Sequence, residues 1–164
     1  MNIVGTKKVL DLCKKMSKLE SFVHVSTAYS NCNRSYIDEI VYEPSIDPYK
    51  IMDFAEWMPK ELDEKITSSL IGKWPNTYTF TKGIAESLVV NECREKIPCA
   101  IVRPAIVGPS WSDPFPGWID NYAGTTGLFI AYGKGFKRTW FGDGEINADI
   151  IPVDYSVNMI IVAG

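Results

Sequence analysis

Two apolar segments, each short and each preceded by a helix-like stretch, most restrict the fold that this chain can adopt. Residues 21–27 carry SFVHVST, which is apolar almost throughout, and residues 99–102 carry the apolar CAIV. A strand that is apolar on both faces is typical of a parallel sheet covered by helices. Helical spacing of apolar residues precedes the two segments, at 2–17 and 76–90. This alternation predicts an α/β fold with a parallel sheet.

The remaining segments continue the alternation of helices and strands. Stretches rich in Pro, Gly, Asn and Asp predict loops, and periodic or β-branched stretches predict regular elements. On these criteria we expect loops at 30–46 and 108–120, one or two helices within 47–73 with Pro59 starting the second, a short helix near 121–133, a strand and turn in KRTWFGDG (137–144), and a short strand followed by a helix that opens at Val153 or Asp154.

The composition fits one domain, or a large piece of one, and argues against several kinds of partner. The 164 residues are 46% hydrophobic, which is enough for a buried core. The formal net charge is −3, without the basic excess that nucleic-acid binding favours. The apolar runs are much shorter than the roughly 20 residues that a membrane span needs. The 4 cysteines form no C-x-x-C pair, so we expect reduced thiols and no metal site.

Tyr78 and Lys82 lie four positions apart in NTYTFTKGIAESLVV (76–90), where Phe80, Ile84 and Leu88 form an apolar stripe. Residues four apart are neighbours on a helix. An ammonium beside a phenol lowers the phenol's pKa and makes it a better proton donor, which suits protonation of a carbonyl oxygen during reduction. Taken alone, the spacing favours a simpler interpretation, in which the lysine lies along the helix surface.

Polar residues at the ends of the two predicted strands strengthen the chemical interpretation. Ser26 and Thr27 end the first strand, and the second strand ends in VRPAIVGP, which places 103–109 along the same edge. Ligands of open α/β sheets bind at the carboxyl ends of the strands. A hydroxyl, a phenol and an ammonium in this order, followed by a strand end that contains proline, form a far more specific set than the helical pair.

With these residues the chain resembles the extended short-chain dehydrogenase/reductase superfamily, and within it the insect type of alcohol-forming fatty acyl-CoA reductases. The segment PGWIDN (116–121) and the segment NTYTFTKGIAE (76–86) separate this family from sugar-nucleotide epimerases. The matching stretches cover nearly the whole chain: GTKKVLDLCKKM, FVHVSTAYSNC, WPNTYTFTKGIAESLV, PCAIVRPAIVGPSWSDPFPGWIDN and ADIIPVDYSVNMIIVA.

The resemblance implies a role for each matching site residue. Tyr78 would be the general acid, and Lys82 would supply positive charge beside it and hydrogen-bond the nicotinamide ribose. Thr27 is the favoured hydroxyl for holding the carbonyl oxygen, and Ser26 is the alternative. Pro104, Ala105 and Val107 would lie alongside the nicotinamide, and backbone groups near Val107 would contact its carboxamide. The implied cofactor is NADPH, and no metal is implied.

The resemblance also implies the place of these residues in a larger domain. A glycine-rich phosphate loop of the type T-G-x-x-G-x-x-G is absent from the sequence. We therefore expect residues 1–164 to be the C-terminal half of a Rossmann-like, doubly wound parallel sheet, without its glycine-rich unit and without the family's C-terminal helical domain. On this interpretation these residues alone bind NADPH weakly or not at all and are inactive.

The implied reaction is the reduction of a long-chain fatty acyl-CoA to a primary alcohol with NADPH. Enzymes of this kind associate with membranes of the peroxisome or endoplasmic reticulum, facing the cytosol, through segments that these residues lack, so that the piece itself is expected to be soluble. Two alternatives remain open. One is another oxidoreductase or epimerase of the superfamily, which would share Tyr78, Lys82 and Thr27. The other is a truncated scaffold without catalytic activity.

Several other polar and aromatic residues have a structural interpretation beside a functional one. A buried position in the sheet explains His24 better than catalysis does, and an ion pair explains Arg103 better than phosphate binding. Asp154 is expected to cap a helix. The aromatic residues of the 108–122 loop could line an acyl tunnel or equally well pack that loop against the sheet: Trp111, Phe115, Trp118 and Tyr122.

Overall fold

The computed structural model describes residues 1–94 and 96–164, with the side chains of Lys60, Glu61, Asp63 and Glu64 excepted. The chain divides into a first unit, residues 1–103 with 163–164, and a second unit, residues 104–162. The elements in chain order are α1 (Asn2–Cys13), β1 (Phe22–Val25), α2 (Pro48–Trp57), α3 (Lys60–Ile71), α4 (Thr77–Cys93), β2 (Cys99–Val102), β3 (Ile106–Gly108), α5 (Gly124–Gly133), β4 (Ile150–Pro152) and α6 (Val153–Ala163).

The first unit contains the parallel pair β1–β2. Phe22 pairs with Cys99 and Val25 pairs with Val102, which confirms the parallel pairing predicted from the two apolar segments. The backbone N–H of Ser26 donates to the carbonyl of Val102 at 2.8 Å, so one more hydrogen bond continues the ladder past the end of β1. Ser26 and Thr27 therefore lie immediately beyond the strand, where a loop begins.

Helix α4 is the central element of the first unit, and local signals in the sequence explain where it begins and what it buries. The side chain of Asn76 accepts a hydrogen bond from the backbone N–H of Thr79 at 2.9 Å, as an N-cap residue does. The predicted stripe is buried: Phe80 and Ile84 are 2% exposed and Leu88 is fully buried. The helix predicted in 76–90 and its apolar stripe are thus confirmed.

Two apolar clusters hold α4 in place. The first joins the α4 stripe to α1 and α2 and consists of Ile3, Ile51, Phe80, Ile84 and Leu88. The second joins the last turns of α1 and α4 to the connection before β2 and consists of Leu10, Cys13, Val89, Cys93 and Ile97. Full burial of a side chain such as Leu88 stabilises a fold by roughly 1.5–3 kcal/mol. Because it contributes to both clusters, α4 is buried along most of its length.

The second unit contains the parallel pair β3–β4, with Ile106 opposite Ile150 and Gly108 opposite Pro152. Helix α5 confirms the helix predicted near 121–133, and β4 followed by α6 confirms the strand and helix predicted at the end of the sequence. The strand predicted in 137–144 is wrong, because residues 137–141 follow an irregular path with Trp140 and Phe141 exposed. The structure has a strand at 106–108 instead, which the sequence pattern did not separate from β2.

The parallel strands and their helices make this a mixed α/β structure, as predicted. The doubly wound sheet stays a prediction, since the strands form two separate parallel pairs. Across residues 1–94 and 96–164, no helix combines the length and the apolar character that crossing a bilayer requires.

Asp154 fastens a loop of the second unit to the first turn of α6. Its carboxylate accepts hydrogen bonds from the backbone N–H groups of Trp111 and Ser112 at 2.9 Å and from that of Asp113 at 3.2 Å. Burial raises the pKa of the Asp154 carboxyl, but these N–H donors outweigh it and lower the pKa to about 2. The carboxylate of Asp154 thus anchors the 111–113 backbone, and its expected role as a helix cap stays a prediction.

This anchor predicts a specific dependence of stability on pH. Because the folded-state pKa of Asp154 lies below the unfolded value of about 3.9, its contribution is present above that value and is lost as the pH falls towards about 2. We expect Asp154→Asn to lower the thermal midpoint near neutral pH and to differ less from the wild type at about pH 2. Thermal unfolding followed by circular dichroism checks this, and a difference that does not change with pH would contradict it.

Gly83 lets α4 approach the loop that follows β1. A Cβ at this position would lie 2.6 Å from the backbone oxygen of Ser30, which is too close for any real side chain. Gly5 of α1 is also a helical glycine, but a Cβ there would meet nothing within 4 Å. The two glycines thus share a secondary structure and differ in whether the space beside them is filled.

We expect Gly83→Ala to destabilise the protein although alanine favours helices. The methyl group must displace backbone, which costs about 1–3 kcal/mol, whereas the gain in helix propensity is only about 0.5–1 kcal/mol. Gly5→Ala is the matched control and should be neutral or stabilising. Urea unfolding of the three proteins gives the free energies, and a Gly83→Ala variant as stable as the Gly5→Ala variant would refute the close approach.

Candidate active site

Tyr78 and Lys82 occupy successive turns of α4, as the sequence predicted. The Tyr78 side chain is 51% exposed, so the phenol lies at the surface rather than in the core. The Lys82 Nζ lies 6.0 Å from the centre of the Tyr78 ring. The structure therefore places a positive charge beside a phenol that a substrate can reach.

The Lys82 ammonium also contacts the end of β1. Its Nζ donates a hydrogen bond to the backbone carbonyl of Val25 at 2.9 Å. Burial lowers the pKa of Lys82, and the negative charge of Glu86 partly opposes that effect. Since an ammonium has three N–H donors and Val25 takes one, two donors remain for other partners.

The two hydroxyls that follow β1 are both buried but have different hydrogen bonds. Ser26 is 5% exposed, and its Oγ donates to the Oε1 of Glu86. Thr27 is 6% exposed, and its Oγ1 accepts a hydrogen bond from the backbone N–H of Tyr29 at 3.3 Å. Within the part of the chain that the structure describes, the Ser26 proton is donated to Glu86, whereas the Thr27 proton has no acceptor.

Glu86 is the residue of this region that the sequence analysis missed. Its side chain is 1% exposed, and Arg103 binds it through two hydrogen bonds, Nε to Oε1 at 2.9 Å and Nη2 to Oε2 at 2.7 Å. The Asn31 amide lies 3.5 Å from the same Oε2. The signal in the sequence was a carboxylate within the apolar run IAESLVV, one turn beyond Lys82.

Arg103 completes this group of contacts from the end of β2. Besides Glu86, it donates to the backbone carbonyl of Asp38 at 3.1 Å and to that of Ile40 at 2.7 Å. The guanidinium thereby ties the long loop after β1 to the end of β2 and to Glu86 of α4. The structural ion pair predicted for Arg103 is confirmed.

His24 lies within β1 and is 8% exposed. Burial lowers the pKa of its imidazole, and the charge of Lys82 lowers it further. Among the residues that the structure describes, its Nε2 has no hydrogen-bond partner. These features agree with a neutral histidine inside the sheet layer.

The three residues predicted to pass the nicotinamide belong to the second unit. Pro104 and Ala105 precede β3 and are half-buried, and Val107 lies within β3 and is 43% exposed. Their role in cofactor binding stays a prediction. Of the four aromatic residues named for the neighbouring loop, Trp118 is half-buried, whereas Trp111, Phe115 and Tyr122 are exposed.

In the described part of the chain, no three or more His, Cys, Asp and Glu side chains are arranged to hold a metal ion. Tyr78, Lys82 and Thr27 supply a phenol, an ammonium and a hydroxyl as hydrogen-bond donors. This donor set can protonate a carbonyl oxygen and hydrogen-bond the oxyanion that forms on it.

Comparison with known proteins identifies the family to which this chain is similar. The model of a family of NAD-binding domains described as male sterility protein matches residues 1–160. Fatty acyl-CoA reductase 1 of Xenopus laevis is 53% identical over 163 residues, which cover 99% of this chain and 32% of that protein. Its Homo sapiens namesake is 52% identical with the same coverage. Fatty acyl-CoA reductase 2 of Mus musculus is 48% identical over 164 residues, again 32% of its length. The chain thus spans about a third of the length of the curated relatives it matches.

Proposed function

This chain belongs to the male sterility protein family of NAD-binding domains, and from this membership we propose that it forms part of an alcohol-forming fatty acyl-CoA reductase. The reaction we propose is the reduction of a long-chain fatty acyl-CoA to the primary alcohol with NADPH. Similarity along the whole chain to proteins named fatty acyl-CoA reductase carries the proposal. The exposed phenol beside an ammonium, next to a strand end with a hydroxyl, supports it chemically.

The donor set of the site fits the nicotinamide riboside end of the cofactor. Lys82 has two N–H donors beyond the one that binds Val25, and ribose hydroxyls are suitable acceptors for them. The half-exposed Tyr78 phenol stands beside this ammonium. We propose that Tyr78 and Lys82 contact the nicotinamide riboside. We also propose that Pro104, Ala105 and Val107 contribute to cofactor binding.

In the proposed reaction, the bound cofactor supplies the hydride that the carbonyl carbon accepts. The Thr27 hydroxyl donates a hydrogen bond to the substrate oxygen, and Tyr78 donates to the same oxygen and transfers its proton when the alcohol forms. Lys82 places positive charge beside Tyr78. Thr27 is preferred to Ser26 because the Ser26 proton is already donated to Glu86. In the first reduction the thioester carbon loses coenzyme A as its thiolate, and a second reduction converts the aldehyde into the alcohol.

The proposal can be tested in an exchange protein, in which this chain replaces the aligned 163 residues of the Xenopus laevis reductase. We expect this protein to convert palmitoyl-CoA and NADPH into hexadecanol. Tyr78→Phe should lower kcat by about 100-fold or more, because it removes the proton donor. Gas chromatography of the alcohol and NADPH oxidation give the rates.

Tyr155→Phe is the matched control, since Tyr155 is also half-exposed on a helix, at 55%, and is no part of the proposed site. It should leave kcat unchanged. An exchange protein that forms no alcohol, or whose Tyr78→Phe variant forms it equally well, would refute the proposed function. Turnover of a nucleotide sugar in place of the acyl-CoA would favour another member of the superfamily.

A further inference from the structure

We propose that Glu86 is a positioning residue, which holds Lys82 and Thr27 in place for the reaction through its hydrogen bond with Ser26 and its ion pair with Arg103. The proposal rests on the proposed function for its catalytic consequence. Glu86 itself is buried at 1% exposure, so it acts through these neighbours rather than on a substrate.

Two side chains of α4 bind consecutive residues at the end of β1. Lys82 donates to the carbonyl of Val25, and Glu86, one turn further along the helix, accepts from the hydroxyl of Ser26. These two contacts join α4 to the strand end, in addition to the apolar clusters that hold the rest of the helix. Among the hydrogen bonds of the described residues, loss of the Glu86 contact leaves that of Lys82 with Val25 at this strand end.

Arg103 makes the position of the Glu86 carboxylate unique. Its two hydrogen bonds engage both carboxylate oxygens, so that the group cannot rotate away from Ser26. Arg103 is in turn fixed by the carbonyls of Asp38 and Ile40. The hydroxyl of Ser26 therefore meets an acceptor whose place is set by β2 and by the loop after β1.

Glu86 affects the reaction through Thr27, which follows Ser26 in the chain. The backbone of Ser26 is bonded to Val102 and its side chain to Glu86, and these two hydrogen bonds fix the backbone position next to Thr27. A displacement of about 1 Å in a catalytic group can cost roughly 100-fold in rate. Loss of Glu86 should therefore act on kcat and leave the binding of acyl-CoA largely unchanged.

Glu86 also affects the pKa of Lys82. Among the described residues, the titratable groups that face Lys82 are Tyr78 and Glu86 from α4 and His24 from β1, and Arg103 faces Glu86 from the end of β2. Burial lowers the pKa of Lys82, and of the charged neighbours Glu86 raises it. Removal of the Glu86 charge should lower the pKa of Lys82 further, an effect that loss of packing elsewhere on α4 would not produce.

Glu92 provides a control for a role that is only structural. It lies on the same helix, is 8% exposed, and pairs with Lys7 of α1, with Lys14 just after α1 and with Tyr49 of α2. Burial raises its pKa, but the contacts with Lys14 and Tyr49 outweigh this and lower it. Glu92→Gln therefore disrupts a buried carboxylate of similar kind, away from Lys82.

The first experiment compares Glu86→Gln and Glu92→Gln in the exchange protein. We expect Glu86→Gln to lower kcat by about tenfold or more with an unchanged KM for palmitoyl-CoA, and Glu92→Gln to keep kcat close to the wild type. Ser26→Ala removes only the hydroxyl contact and should lower kcat in the same direction. Equal loss of kcat in the two glutamine variants, at equal loss of thermal stability, would overturn the proposal.

The second experiment needs no turnover and uses the 164-residue chain. Lysine labelled with ¹³C at Cε reports the titration of Lys82 by NMR. We expect the pKa of Lys82 to be lower in Glu86→Gln than in the wild type, and to be the same in Glu92→Gln as in the wild type. A Lys82 pKa that Glu86→Gln leaves unchanged would overturn the proposal. Should the exchange protein be inactive while Lys82 responds as expected, the proposed function fails and the proximity of the Glu86 charge to Lys82 stands.

Discussion

The buried ion pair between Glu86 and Arg103 is the interaction on which the geometry of the site depends. Moving a charged group out of water costs several kcal/mol, and only a close partner with satisfied hydrogen bonds offsets that cost. Glu86 and Arg103 and the groups that hydrogen-bond to them come from four segments: α4, the end of β1, the end of β2 and the loop after β1. A structure in which one of them is misplaced leaves a buried charge unmatched. The pair thus specifies one arrangement of these segments, whatever its net contribution to stability.

The parts of this arrangement that the sequence could predict are those set by neighbouring residues. Asn76 caps α4 because its side chain reaches the N–H of Thr79, three positions away. The stripe of Phe80, Ile84 and Leu88 follows from the helical period alone, and the same period places Tyr78 and Lys82 on successive turns. Signals of this kind need no knowledge of the rest of the fold.

The ion pair could not be predicted in this way. Arg103 lies 17 positions from Glu86 along the chain, and Ser26 lies 60 positions from it. A glutamate within a helix is usually exposed, and only its place inside an apolar run indicates otherwise. The same limit explains the wrong strand in 137–144. Trp140 and Phe141 favour strands locally, but a strand also needs a partner at its side, and local preference carries no information about that partner.

The buried charge of Glu86 determines which of the two hydroxyls, that of Ser26 or that of Thr27, can donate to a substrate oxygen. A carboxylate can only accept hydrogen bonds, so the hydroxyl of Ser26 must donate to Glu86 and keeps only its capacity to accept. The hydroxyl of Thr27 accepts from a backbone N–H, which can only donate, and among the described residues no group accepts the Thr27 proton. A carbonyl oxygen that gains negative charge needs donors. Two adjacent residues with the same functional group are therefore opposite in hydrogen-bond direction, and of these two it is Thr27 whose direction suits the proposed reaction.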